Sequence, residues 1–113
     1  MNVIILEDEP LIAYSLKSVL SKFGVDHVAV HNDLEGASAG LQISQYDAAF
    51  IDIQICGKPD GFKFAQYCGE RSVPIIFLTS FELNPFEDCS LMRFFNFFKT
   101  LSRLLYGKET LII

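Results

Sequence analysis

The chain has 113 residues, half of them hydrophobic and a fifth charged, with a formal net charge of −5. That is enough apolar material for one domain with one core, and it excludes a disordered chain. The acidic balance, with no run of Lys or Arg, excludes a general nucleic-acid surface, because phosphate binding needs clustered cations.

The cysteines Cys56, Cys68 and Cys89 are odd in number and lack CxxC spacing. With no signal-like N-terminus, they point to a reducing, cytoplasmic setting. No apolar run approaches the ~18 residues of a bilayer span, so no membrane role is expected. We read residues 1–113 as a single domain.

Residues 3–6 (VIIL) form an unbroken β-branched and apolar run. That is the pattern of a strand buried on both faces, as in a parallel sheet. The run stops at Glu7, Asp8 and Glu9. Pro10 then suits the first position of a helix, where its missing N–H is not needed. Ile12, Leu16, Val19, Leu20 and Phe23 share one helical face, and Gly24 supplies a stop.

Residues 26–31 (DHVAVH) predict a short, weaker strand with Val28 and Val30 on one face. His27 and His31 alternate with apolar residues there, which argues against a helical metal pair. Asn32 or Asp33 can cap the next helix, with Leu34, Ala37 and Leu41 on its inner side. Gly36 and Gly40 each weaken it by about 1 kcal/mol relative to Ala if exposed.

Residues 48–51 (AAFI) predict a third buried strand that delivers Asp52 to its end. A loop with Gly57, Pro59 and Gly61 follows, then a helix over 61–70 with Phe62, Ala65 and Cys68 inward. Residues 73–78 (VPIIFL) predict a fourth strand, ending at Thr79 and Ser80. Pro85 breaks residues 81–91, so the fourth helix is expected to be short or disordered. Residues 93–98 (RFFNFF) predict a fifth strand, ending at Lys99. Leu101, Leu104, Leu105 and Ile112 then fit a helix face, although the terminal LII also suits an extended end.

The alternation predicts an α/β fold: a five-stranded parallel sheet of flavodoxin-like order 2-1-3-4-5, with helices on both faces. Right-handed crossovers bring all strand C-termini to one edge. Glu7, Asp8, Glu9, Asp52, Thr79 and Lys99 would therefore gather there. Crowded carboxylates repel unless a cation enters, and hard oxygen donors select Mg²⁺. Thr79 could then hydrogen-bond a phosphoryl oxygen, and Lys99 could neutralise another.

With these residues in place, the chain resembles a response-regulator receiver domain over nearly its whole length. The resemblance rests on ILEDEP, IDIQICGKPDG, IIFLTS and FFKTLS. It implies Asp52 as phosphorylation acceptor, Asp8 as direct Mg²⁺ ligand, Glu7 as second acid through water, and Gln54 as a backbone-carbonyl ligand. It also implies Thr79 as switch hydroxyl and Lys99 as charge-pairing lysine. The sequence departs from the family pattern at Thr100, where Pro is usual, and at Asn96, where an aromatic residue is usual. Phe95 and Phe97 flank Asn96, and the loop from Asp52 to Gly61 exceeds the commonest family spacing by one residue.

The implied function is to accept a phosphoryl group from a histidine kinase or histidine phosphotransfer protein. Output would pass to a downstream protein target, or to a second copy in a homodimer, through the C-terminal third. An alternative is a degenerate receiver that docks proteins independently of phosphorylation. A third reading, a small Mg²⁺-dependent phosphohydrolase, lacks a second acid two residues after Asp52, where Gln54 stands, and has no room for a cap domain. We expect a self-phosphorylating acceptor, with autodephosphorylation as its one hydrolytic step, and no turnover enzyme on small molecules.

Overall fold

The computed structural model describes residues 1–78 and the strand Leu111–Ile112. The elements are β1 (Asn2–Leu6), α1 (Pro10–Lys22), β2 (His27–His31), α2 (Leu34–Ile43), β3 (Ala48–Asp52), α3 (Asp60–Glu70), β4 (Ile75–Leu78) and β5 (Leu111–Ile112). The sheet order is β2-β1-β3-β4-β5, and every pairing is parallel. The expected strand over 93–98, the turn at 81–91 and most of the last helix lie outside the described residues. The chain end, for which helix and strand were both open, is extended and pairs with β4. No helix among the described residues is long and apolar enough to cross a membrane.

The continuous apolar strands bury both faces, and alternation sorts their side chains into two cores. Val3 and Ile5 join Phe50, Ile76, Leu78 and the α1 residues Leu16 and Leu20. Ile4 and Leu6 join Ile51, Phe77, the α2 residues Ala37 and Leu41, and the α3 residues Phe64 and Cys68. Helices thus cover both faces of the sheet.

The local signals for helix ends act as expected. Pro10 opens α1, and Gly24 follows its C-cap at φ 88°. Asp33 caps α2, accepting the Gly36 amide at 2.7 Å.

Three side-chain expectations are corrected. Phe62 is 54% exposed, while Phe64 is fully buried. The inner face of α3 is Gly61, Phe64, Ala65 and Cys68, which fall at the helical spacing i, i+3, i+4, i+7. Phe62 instead meets Phe77 edge-on, with ring centroids 5.7 Å apart. On α1, Ala13 takes the central inner place beside Leu16 and Leu20, and Ile12, Val19 and Phe23 are only half-buried. Val30 is exposed, so the outer end of β2 contributes little to the core.

Gly36 and Gly40 have a packing role that helix propensity did not reveal. A Cβ on Gly40 would lie 2.8 Å from His31 Nε2, and one on Gly36 would lie 3.2 Å from His31 Nδ1. The imidazole at the end of β2 rests on the two glycines, so their small size is used for close contact.

Candidate functional site

Parallel strands with helical crossovers place their C-termini at one edge, and the described acids meet there. Leu6 of β1 stands in register with Ile51 of β3. The next residue of each strand is Glu7 and Asp52 respectively. Carboxylate oxygens of Glu7, Asp8 and Asp52 lie within 4.8 Å of one another. The structure therefore brings together three of the expected site residues.

Glu7 is the least expected of the three in its environment, being only 3% exposed. Its own amide donates to the His31 carbonyl at 3.0 Å, which extends the β1–β2 pairing by a residue. Burial pushes its carboxyl up to about 8, reinforced by the charges of Asp52 and Asp8 and by a hydrogen bond with Asp52. The Glu9 amide, donating to Glu7 Oε1 at 3.0 Å, works the other way.

Burial also raises Asp52 above the ordinary carboxylate range. The Gln54 amide, which donates to Asp52 Oδ1 at 3.2 Å, and the Glu7 carboxyl oppose that rise. With its carboxyl raised to about 8, Glu7 keeps a proton at neutral pH and shares a side-chain hydrogen bond with Asp52. Half-buried Asp8 is tied separately: the Cys56 amide donates to Asp8 Oδ2 at 2.8 Å.

Three carboxyl groups in so small a space fit a divalent cation on chemical grounds. Their oxygens are hard donors, and a proton now holds down repulsion that a cation would remove. Among the described residues this is the one such cluster of potential ligands. Gln54 places its backbone beside Asp52 through the amide bond to Oδ1.

Thr79 directly follows β4, whose last residue, Leu78, is in register with Asp52. Thr79 and Lys99 themselves lie outside the described residues, as do Asn96 and Thr100. Cys56 is exposed and Cys68 buried, both free thiols, and burial raises the Cys68 thiol to about 12.

Two participants had no role in the sequence reading beyond belonging to the loop after Asp52. One is the Cys56 amide, in a turn that Gly57 and Pro59 signalled. The other is Gly61, whose amide donates to the Ile53 carbonyl at 3.0 Å. A Cβ there would strike the Asp52 carbonyl and lie 2.7 Å from Ile53 Cα.

A doubly covered parallel sheet with a compact acid cluster beyond β1 and β3 defines an open α/β domain with its site at the carboxyl edge of the strands. The family described as the response regulator receiver domain matches residues 3–90. The chain belongs to that family, whose members work in two-component signalling and typically use Mg²⁺ and a phospho-aspartate. Asp52 and Thr79 fall inside the match, and Lys99 falls beyond it.

Solved structures agree on the fold. The N-terminal domain of a response regulator/sensory box/GGDEF three-domain protein from Carboxydothermus hydrogenoformans is 19% identical, with a TM-score of 0.77 over 95% of this chain and 98% of that one. The response regulator TrrA from Thermotoga maritima, solved in complex with Mg²⁺ and BeF, is 22% identical, with a TM-score of 0.71 over 89% of this chain and 99% of that one. SdrG from Sphingomonas melonis is 29% identical, with a TM-score of 0.64 and 78% of each chain covered. No curated protein sequence matches the chain significantly.

Proposed function

We propose that this receiver takes a phosphoryl group from a histidine kinase or histidine phosphotransfer protein onto Asp52, with Mg²⁺ bound by the acid cluster. The observation that carries the reading is the convergence of Glu7, Asp8 and Asp52 oxygens within 4.8 Å at one sheet edge. Asp8, Asp52 and the Gln54 carbonyl would hold the ion directly, and Glu7 through water. When bound, the ion supplies positive charge to the carboxylates and to the incoming phosphoryl oxygens.

The chain's own groups then have distinct tasks. The Gln54 amide fixes the Asp52 carboxylate through Oδ1. The other carboxylate oxygen attacks phosphorus in line, a P–O bond forms, and the P–N bond to the donor imidazole breaks. The electron pair leaves with the imidazole, which takes up a proton. With a cation beside it, Glu7 would give up its proton. Thr79 and Lys99 are assigned to the phosphoryl oxygens from their places after the fourth strand and in FFKTLS. The added charge and acceptor oxygens would draw both inward and alter the C-terminal third, where a downstream protein or second copy would read the change. We place this cycle in the cytoplasm.

The test is labelling by a small acyl-phosphate donor in the presence of Mg²⁺. Wild type should be labelled in an acid-stable, base-labile manner, and Asp52→Asn should not. Equal labelling of the two proteins would remove Asp52 from the role.

A further inference from the structure

The loop between β3 and α3 forms a tight turn beside the acid cluster. Ile55 and Lys58 close a two-residue turn by reciprocal backbone hydrogen bonds. The Ile55 amide donates to the Lys58 carbonyl at 2.8 Å, and the Lys58 amide donates to the Ile55 carbonyl at 3.0 Å. The central residues Cys56 and Gly57 both have positive φ, 52° and 75°. That is the pattern of a type I′ turn, which suits Gly at both places and is unfavourable for a residue with a side chain.

Cys56 therefore holds a conformation that its own preferences oppose. Two contacts secure it. Ile55 is only 1% exposed and sits in the core with Ile51 and Phe64, which anchors the turn from below. The Cys56 amide reaches back to Asp8 Oδ2 at 2.8 Å, which anchors it to the segment after β1.

We propose that the backbone amide of Cys56, presented by this turn, is a positioning group for the metal ligand Asp8. It holds one carboxylate oxygen of Asp8 and aims the other at Asp52. The inference rests on the reading of Asp8 as a Mg²⁺ ligand. It assigns no role to the exposed Cys56 thiol. Hydrogen-bonded partners of this kind orient metal ligands, and their loss lowers affinity.

The experiment is a Mg²⁺ titration of the full chain as wild type, Cys56→Gly, Cys56→Val and Cys56→Pro, with amide resonances followed by ¹H–¹⁵N spectroscopy. Gly keeps the amide and accepts positive φ. Val keeps the amide but resists that φ, and Pro loses the amide. Affinity should fall in the order Gly, Val, Pro, with Pro about 10-fold or more weaker than wild type, the scale of losing such a partner.

The Cys56 amide resonance of wild type should move with the same midpoint as Mg²⁺ binding. It should also be displaced in metal-free Asp8→Ala, a signature that does not depend on the proline variant folding. Folded Pro or Val variants that bind Mg²⁺ as tightly as the Gly variant would overturn the positioning role while leaving the acceptor reading intact. So would a Cys56 amide indifferent to Asp8→Ala. Absence of saturable Mg²⁺ binding by wild type would overturn both.

Discussion

Gly61 and Ile53 are joined backbone to backbone across the start of α3, with the Gly61 amide 3.0 Å from the Ile53 carbonyl. A Cβ on Gly61 would meet that same carbonyl at 2.8 Å and has no flexible side chain to displace. Gly61→Ala should therefore destabilise the domain by about 1–3 kcal/mol, the range for overpacking. Urea unfolding followed by circular dichroism measures this, and a loss below about 0.5 kcal/mol would show that α3 simply shifts away.

The raised carboxyl of Glu7 makes stability depend on pH in a defined direction. An ordinary glutamate loses its proton near 4.5, and Glu7 keeps its own to about 8. Between those values the folded state holds a proton that the unfolded chain has released. Stability is thus fully present below the lower value and declines as pH rises through the upper one. Asp52, raised in the same direction, adds to the decline above its ordinary 3.8. The metal-free melting temperature should fall on the order of 5–10 °C from pH 5 to pH 8. Glu7→Gln should flatten most of that slope, and Mg²⁺ should raise the melting temperature more at pH 8 than at pH 5.5. A wild-type slope of the opposite sign would contradict the placement of the proton on Glu7.

Phe62 and Phe64 offer a paired test of the α3 face. Phe64 is fully buried beside Ile51 and Ile55, whereas Phe62 is 54% exposed. Phe64→Ala should cost about 3–5 kcal/mol and Phe62→Ala less than about 1.5 kcal/mol, the latter reflecting its edge contact with Phe77. Thermal or urea unfolding of the two variants decides, and equal losses would return Phe62 to the core.

His31 and Gly40 should be energetically coupled. With a Cβ 2.8 Å from His31 Nε2, Gly40→Ala should destabilise wild type by about 1–2 kcal/mol. In a His31→Ala background the obstacle is gone, and the same change should stabilise by up to about 1 kcal/mol through helix propensity. A double-mutant cycle measures the reversal of sign, and strict additivity would mean that the imidazole does not rest on the helix.

Much of this arrangement was legible in the residues themselves. VIIL, AAFI and IIFL are unbroken because both sheet faces are covered, and that same continuity announced the parallel order. Pro10, Gly24 and Asp33 marked helix ends through local chemistry that needs no tertiary information. The meeting of Glu7, Asp8 and Asp52 followed from strand direction alone.

What the sequence hid depends on contacts between distant segments. Whether Phe62 or Phe64 points inward depends on how α3 is rotated against the sheet, and the close approach of Gly61 to Ile53 holds Gly61 on the inner side. The glycines of α2 looked like weaknesses because the His31 ring that fills the space comes from another strand. The depth of Glu7, and so its proton, comes from the layers around it.

The pairing of Leu6 with Ile51 has one more consequence. Backbone hydrogen bonds fix the separation of β1 and β3, so the acids that follow cannot relieve their repulsion by moving apart. The two strand ends act like the plates of a capacitor with a rigid spacer. The work of charging the gap is stored in the fold and released only to something that crosses it. A proton on Glu7 draws on that store, and under the proposed function a metal ion would compete for it, which would make the sheet's register part of that chemistry.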